Sequence, residues 1–385
     1  MSAGSVNNVL LANIASVDGI AKSNIASIAG VPIAAANPDF VSTWDTTQAG
    51  SASDTIVLPM VAGNTVHWGD GSSDTTNTHT YASNGTYTVT IEGDITTFRF
   101  SNGGDKRKIT DISNWGGFDM STTQMFRGCN NLDISATDSP LISTTSFWWM
   151  FTGADLTSPN LNSWDVSAVT TFDSCFKNNA NFDTDLSGWD LSSATNLNNM
   201  FTATSFNQDI SNWDVSGVTS LTWTFQSSAF NQPLDNWDVS QVTSFNGMFY
   251  LNRDFNQPIP SWTCEKATSL SQMFRQSDFN QDISAFNTSL VTNMWYMFFG
   301  NAVFDQDISS WDINQVTDFS RFMDHLTLST ANYDALLIAW DAQGAMSYSG
   351  TVNFGGSKYT SGGAAETART SLITKWGGIT DGGVA

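Results

Sequence analysis

FNQDISNWDVSGVTSLTWTF, residues 206–225, decides the fold because it returns. FNQPLDNWDVSQVTSFNGMF begins at Phe230, and FDQDISSWDINQVTDFSRFM begins at Phe304. Anchored on the tryptophan, the pattern falls at Trp164, Trp189, Trp213, Trp237, Trp262, Phe286 and Trp311, at intervals of 25, 24, 24, 25, 24 and 25 residues. A period of this size marks units that cannot bury their apolar residues alone and stack on copies of themselves.

With the tryptophan as position zero, +6 is threonine in all seven of these units, from Thr170 to Thr317. Position +8 is Phe, Leu or Met, +11 is mostly Met, Cys or Phe, and +12 is Phe in six of the seven. Apolar residues at i, i+3 and i+4 predict one face of a short helix. The threonine two residues earlier is placed to cap it, so a helix is expected from Thr219 to about Ser227. Phe206, Ile210, Trp213, Val215, Val218, Leu221 and Phe225 are the expected core of one unit. Asn207, Asn231, Asn256 and Asn280 share a register, as do Gln208, Gln232, Gln257, Gln281 and Gln306. Amides in register can hydrogen-bond from unit to unit along the stack. Asp214, Asp238, Asp282 and Asp307 read as short side chains that satisfy backbone donors at bends, rather than as metal ligands or acid/base pairs.

The pattern FNQDISNWDVSGVTSL resembles the BspA-like surface proteins, the DUF285 or 25-residue leucine-rich-like repeat family, over roughly residues 105–325. That resemblance implies a leucine-rich-repeat-like solenoid associated with cell-surface adhesion, and it supplies no catalytic residues. The expected fold is therefore an α/β solenoid of about nine coils, each a short strand plus a short helix, preceded by a small all-β sandwich-like module. The units at Trp262 (SWTCEKAT) and Phe286 (AFNTSLVT) depart from the pattern and are expected to alter curvature locally.

The flanks divide the chain further. Residues 1–36 contain an 11-residue echo, NIASVDGIAKS followed by NIASIAGVPIA, and read either as a loose tail or as an anchoring and assembly segment. The echo is similar to segments that open phage structural proteins. Residues 37–100 read as β-structure, with TYTVTI placing Tyr87, Val89 and Ile91 on one face. Trp68, Gly69, Asp70, Gly71, His79, Tyr81, Gly85, Tyr87 and Val89 resemble the polycystic-kidney-disease (PKD) family of β modules, which implies a spacer or adhesive domain. The repeats occupy 101–325. Residues 326–385 form the expected α/β cap, with a helix over Leu328–Gln343 started by Ser329 or Thr330.

Composition narrows the function. Thirty-six acidic residues against 14 basic give a net charge of −22, which argues against nucleic acid and against an anionic membrane surface. There is no apolar run long enough to span a bilayer, and no secretory signal is expected from the first 22 residues. Cys129, Cys175 and Cys264 read as buried thiols, and His67, His79 and His325 as structural. No catalytic spacing, metal site or cofactor motif is recognised.

Seven large aromatics stand out as a candidate binding face. On a helix, +9 and +10 would point outward between buried +8 and +11, and Trp148, Trp149, Trp223, Trp295 and Tyr296 occupy these positions, with Tyr250 and Phe299 nearby at +13. They serve either to bind sugar rings or a partner protein, or to pack against a neighbouring subunit or between units. These features together suggest a non-enzymatic virion fibre or adhesin, homo-oligomeric, joined to other virion proteins through residues 1–36 and recognising a host-surface glycan or protein. A cell-surface location, a structural capsid or tail decoration protein, and a polysaccharide depolymerase are the alternatives.

Overall fold

The computed structural model describes residues 39–385 except Ser158 and Ala345. Ahead of them only two antiparallel strand pairs are described, β1 (Ser16–Val17) with β2 (Ile20–Ala21) and β3 (Ser27–Ile28) with β4 (Val31–Pro32). The anchoring role expected of residues 1–36 otherwise falls outside the described residues.

β-branched and aromatic residues then build β5 (Phe40–Asp45), β6 (Thr55–Val57), β7 (Val66–His67), β8 (Ser73–Asp74), β9 (Thr78–Thr80) and β10 (Thr86–Ile91). β10 lies between β5 and β7, antiparallel to both, and β6 pairs with β9 in a second sheet. Val89 and Ile91 of β10 are buried, and Tyr87 stacks on Tyr81 with ring centroids 3.6 Å apart. The larger sheet continues into the next segment. β11 (Ile109–Asn114) adds antiparallel to β5, and β13 (Asp133–Ile134) adds parallel to β11. A second parallel pair joins β12 (Asp119–Met120) to β14 (Leu141–Ile142), 22 residues further on. The chain thus passes from hairpin pairing to parallel pairing without leaving the sheet.

From here the expected α/β solenoid of strand-plus-helix coils is corrected. Strand pairing and turns dominate the chain, and the only helices among the described residues are two short ones after the last repeat. What joins the repeats is a run of single-residue parallel bridges at +7: Ser146, Thr171, Asn196, Ser220, Ser244, Ser269, Asn293 and Asp318, each paired with the next. The predicted helix from Thr219 to Ser227 is instead two successive turns. Thr224 N–H donates to Leu221 O, and Ser228 N–H to Phe225 O. Trp223 and Ser227 hold left-handed φ values of 60° and 53°, at the third position of each turn. The same two positions, +10 and +14, are left-handed throughout: Ser174 and Asn178, Asn199 and Ala203, Tyr296 and Gly300, Arg321 and His325.

The physical reason lies in where the N–H groups go. In a helix they would bond within the segment. Here alternate ones bond to the following repeat: Leu221 to Ser244 O, Trp223 to Asn246 O, Phe225 to Met248 O and Ser227 to Tyr250 O. A nine-residue helix rich in Ser, Thr and aromatic residues is marginal in water, so pairing between repeats wins. Thr219 caps no helix. Its N–H and its hydroxyl both donate to Thr195 O, at 3.0 and 3.2 Å. Thr170, Thr195, Thr243, Thr268, Thr292 and Thr317 do the same to the threonine one repeat earlier.

The expected core residues of the quoted stretch are all buried. Phenylalanines at +12 stack face to face from Phe126 to Phe298, at centroid spacings between 5.5 and 6.0 Å. A second column, Phe182, Phe206, Phe230, Phe255 and Phe279, runs beside it. The repeat tryptophan reaches back one unit, Trp213 Nε1–H donating to Leu186 O at 3.1 Å and Trp237 to Ile210 O at 3.0 Å. Each buried aromatic contributes about 1.5–3 kcal/mol by leaving water, against about 0.5–1.5 kcal/mol for a hydrogen bond. The columns therefore supply most of the stability, and the ladder supplies the register.

Amides complete the register on the outside. Asn231 N–H donates to Asn207 Oδ1 at 2.8 Å, and Gln232 Nε2 to Asn207 O at 2.9 Å. The arrangement recurs between Asn231, Asn256, Asn280 and the glutamines beside them. Beyond the repeats, α1 (Thr330–Asp341) begins at Ser329, whose hydroxyl accepts from Asn332 N–H. It buries Tyr333, Leu336, Leu337 and Trp340, and Trp340 packs against the last repeat's Phe319 and Phe322. β15 (Thr351–Asn353) and β16 (Gly378–Thr380), parallel to each other, flank α2 (Ala364–Trp376). Met323 N–H donates to Asn353 O, which carries the ladder one step further.

Candidate binding face

The left-handed +10 position decides how large side chains sit on this edge of the stack. Trp149, Trp223 and Tyr296 hold this conformation, and the Trp223 ring lies beside Gly247 of the next repeat instead of pointing outward from a helix, which corrects the geometry expected there. Of the seven singled-out aromatics only Trp148, 39% accessible, is exposed. Trp149, Trp223, Tyr250, Trp295, Tyr296 and Phe299 are half-buried.

Two groups form. In the first, Trp148 stacks on Trp149 at 4.7 Å, and the Arg127 guanidinium lies 3.6 Å over the Trp149 ring. Arg127 also donates to Gln124 Oε1 at 2.9 Å, which fixes its plane. These residues border a depression of about 390 Å³ whose floor is polar: Thr152, Asp173, Ser174, Lys177, Asn178 and Asn199. Lys177 Nζ donates to Asn199 Oδ1 at 3.0 Å. The Ser174 hydroxyl donates to Asp173 Oδ1 at 2.7 Å.

In the second group, Trp223 meets Tyr250 edge-on at 5.7 Å. Arg275 then lies 4.8 Å from the Tyr250 ring, 4.6 Å from Tyr296 and 5.3 Å from Phe299. Trp295 packs against Tyr296 at 4.5 Å, Arg321 reaches Tyr296 from the next repeat, and Phe299 meets His325. A guanidinium between aromatic faces is held by the ring quadrupoles as well as by packing. Here the aromatics are largely used on one another.

Sequence reasoning missed the cations. Arg127, Lys177 and Arg275 occupy +13 or its equivalent, and Arg321 occupies +10. The register that gathers the aromatics also places these basic residues on the same edge. The Asp residues at bends act on the backbone. Asp214 accepts from Ser216 N–H at 3.0 Å and from the Ser216 hydroxyl at 2.6 Å. The hydroxyl, then the backbone N–H, holds its pKa below the ordinary carboxylate value. Asp165 and Asp190 are lowered by the same contacts. Burial pushes the thiols of Cys129, Cys175 and Cys264 up, which makes them poor nucleophiles. His67 contacts Glu92 at 2.7 Å and His79 contacts Asp70 at 2.9 Å, both in the β module.

Neither the curated proteins nor the solved structures provide a match to this chain. One family model does, described as a Mycoplasma protein of unknown function, DUF285, and it matches three times, over residues 119–229, 188–278 and 268–356. Those matches cover more than half of the chain and coincide with the bridged repeats, so the chain belongs to the DUF285 family of BspA-like repeat proteins.

Proposed function

We propose that this protein is a non-enzymatic adhesin whose repeat edge binds a glycan on a host surface. The observation that carries the reading is the Trp148–Trp149 pair at the rim of a polar depression. Sugar rings bind by laying their C–H faces on an aromatic plane while their hydroxyls exchange hydrogen bonds with amides and carboxylates. Trp148 offers the accessible plane, and Asn178, Asn199 and Asp173 offer the polar partners. Among the described residues the +12 phenylalanines keep their register from Phe126 to Phe298, and that regularity supports binding over catalysis.

The adhesin is proposed to project from a virion as a homo-oligomeric tail or capsid fibre. The PKD-like β module would act as spacer, and residues 1–36 would make the attachment to other virion proteins. The echo in that segment and the adhesive associations of the family resemblance support this placement. A cell-surface location would use the same binding edge.

A glycan array probed with the full chain tests the binding reading. Trp148→Ala and Trp149→Ala are each expected to weaken the signal by roughly five- to 150-fold, since a stacked aromatic contributes on the order of 1–3 kcal/mol. An unchanged signal would assign these tryptophans to packing alone and leave the decoration role as the better reading.

A further inference from the structure

We infer that the glycan bound at the Trp148–Trp149 depression is anionic, its charge carried by a carboxylate or a sulfate on the sugar. The inference rests on the carbohydrate reading above and adds the charge of the ligand to it.

A second depression, of about 330 Å³, adjoins the first and shares Arg127, Thr152 and Asn178 with it. Its lining adds Lys106 and Arg107. The two together hold four of the chain's 14 basic residues and a single carboxylate, Asp173. In a protein of net charge −22 this is a local reversal of sign. The four cations are also unspent. Ion pairs among the described residues engage Lys108, Arg321, Arg369, Lys375 and two histidines, but none of Lys106, Arg107, Arg127 or Lys177. Their hydrogen bonds go instead to neutral acceptors: Arg127 to Gln124, Lys177 to Asn199 and Lys106 to Asn102.

That pattern is suited to holding cations in place for a ligand. A neutral amide orients a charged donor without neutralising it, so the remaining donors stay available for an oxyanion. Arg127, its guanidinium laid over Trp149, lines both depressions. A sugar ring on Trp148 would then place an acidic substituent between Arg127 and Lys177. The surrounding negative charge repels polyanions elsewhere on the surface and confines them to this stretch. A neutral sugar could accept hydrogen bonds from these donors but would gain no charge attraction.

The test uses the full chain in titration calorimetry against two soluble polymers, a polyuronate and a sulfated polysaccharide. Their carboxyl-reduced and desulfated counterparts serve as neutral partners. Binding to one or both anionic polymers is expected, lost on removal of the charge and falling as salt rises. Which polymer binds identifies the acidic group. Arg127→Gln and Lys177→Gln should each weaken binding by about tenfold. Lys266→Gln, an exposed cation outside the depressions, should leave binding unchanged. Melting curves establish that the variants remain folded. Equal affinity for charged and neutral polymers would overturn the inference and leave the carbohydrate reading standing. Equal loss in Lys266→Gln would also overturn it, by showing diffuse attraction. No binding to any of the four polymers, or to a wider glycan array, would overturn both.

Discussion

The indole of Trp223 occupies the space that a side chain on Gly247 would need: a Cβ at Gly247 would stand 2.8 Å from Trp223 Cε3. The two residues hold the same +10 position in successive repeats, and Gly247 has a φ of 60°. Gly247→Ala should therefore cost about 1–3 kcal/mol, from left-handed strain together with displacement of the ring. In a Trp223→Ala background the cost should fall to about 1 kcal/mol, the backbone part alone. Urea unfolding of the two single variants and the double variant measures this. Equal penalties in both backgrounds would show that the ring and the glycine do not interact.

Replacing the threonine ladder tests the turn-built repeat against a helical one. Thr219→Val keeps the N–H bond to Thr195 O and removes the hydroxyl donor. A loss of about 0.5–1.5 kcal/mol is expected, with the far-UV helical signal unchanged at the level set by α1 and α2, of 12 and 13 residues. A drop in helical signal on substitution would restore a capped helix.

Lys108 joins the β module to the first repeats. It is fully buried, and its Nζ donates to Ala52 O at 2.8 Å, to Thr55 O at 2.7 Å and to Ser51 Oγ at 2.9 Å, with Asp105 Oδ2 3.9 Å away. Asp105 in turn accepts from Ser51 and Val57 N–H groups. Lys108→Met would leave these acceptors and a buried carboxylate without their cation, at a cost of about 3–5 kcal/mol. Lys106→Met, two residues away and half-buried, should cost less than about 1 kcal/mol. Chemical denaturation monitored by tryptophan fluorescence separates the two.

Acid should unfold the chain only below the ordinary carboxylate range. The Ser72 hydroxyl, and then its N–H, lower the pKa of Asp70 from 3.8 to about 2. Asp165, Asp190 and Asp214 are lowered by their serines. A pKa lower in the folded state means the unfolded chain takes up the proton first. The stability these groups contribute is therefore complete above pH 3.8 and is lost as pH falls from there toward 2. Melting temperature against pH should be level above about 4 and decline below it. A curve that stays flat to pH 2 would show that the bends do not use their carboxylates.

Much of this was legible in the sequence, for a physical reason. The interior columns accept one kind of side chain, so Phe225, Trp213 and Thr219 recur where the period puts them. The amides Asn207 and Gln208 and the bend aspartates could likewise be given their hydrogen-bonding roles from their register. Secondary structure inside the repeat is ambiguous at Thr219–Ser227, because apolar residues at i, i+3 and i+4 suit two linked turns as well as a helical turn. The left-handed residues that separate these cases include Trp223, Ser227, Leu251 and Gln272, types that seldom announce positive φ. The aromatic edge was visible as exceptions to a pattern. Its cations are legible by the same route, since Arg127, Lys177 and Arg275 share one register, but their mixing with small and polar residues at that position makes them less conspicuous than the rings.

Position +10 shows what such a framework permits. It carries Ser174, Asn199, Trp223, Gly247, Gln272, Tyr296 and Arg321 in one and the same backbone conformation. Neighbouring N–H groups are satisfied by main-chain carbonyls of the next repeat, whatever side chain stands there. The backbone ladder is thus indifferent to the lettering it carries. The letters answer only to one another, and where a broad one such as Trp223 is set, the next must be left blank, as it is at Gly247.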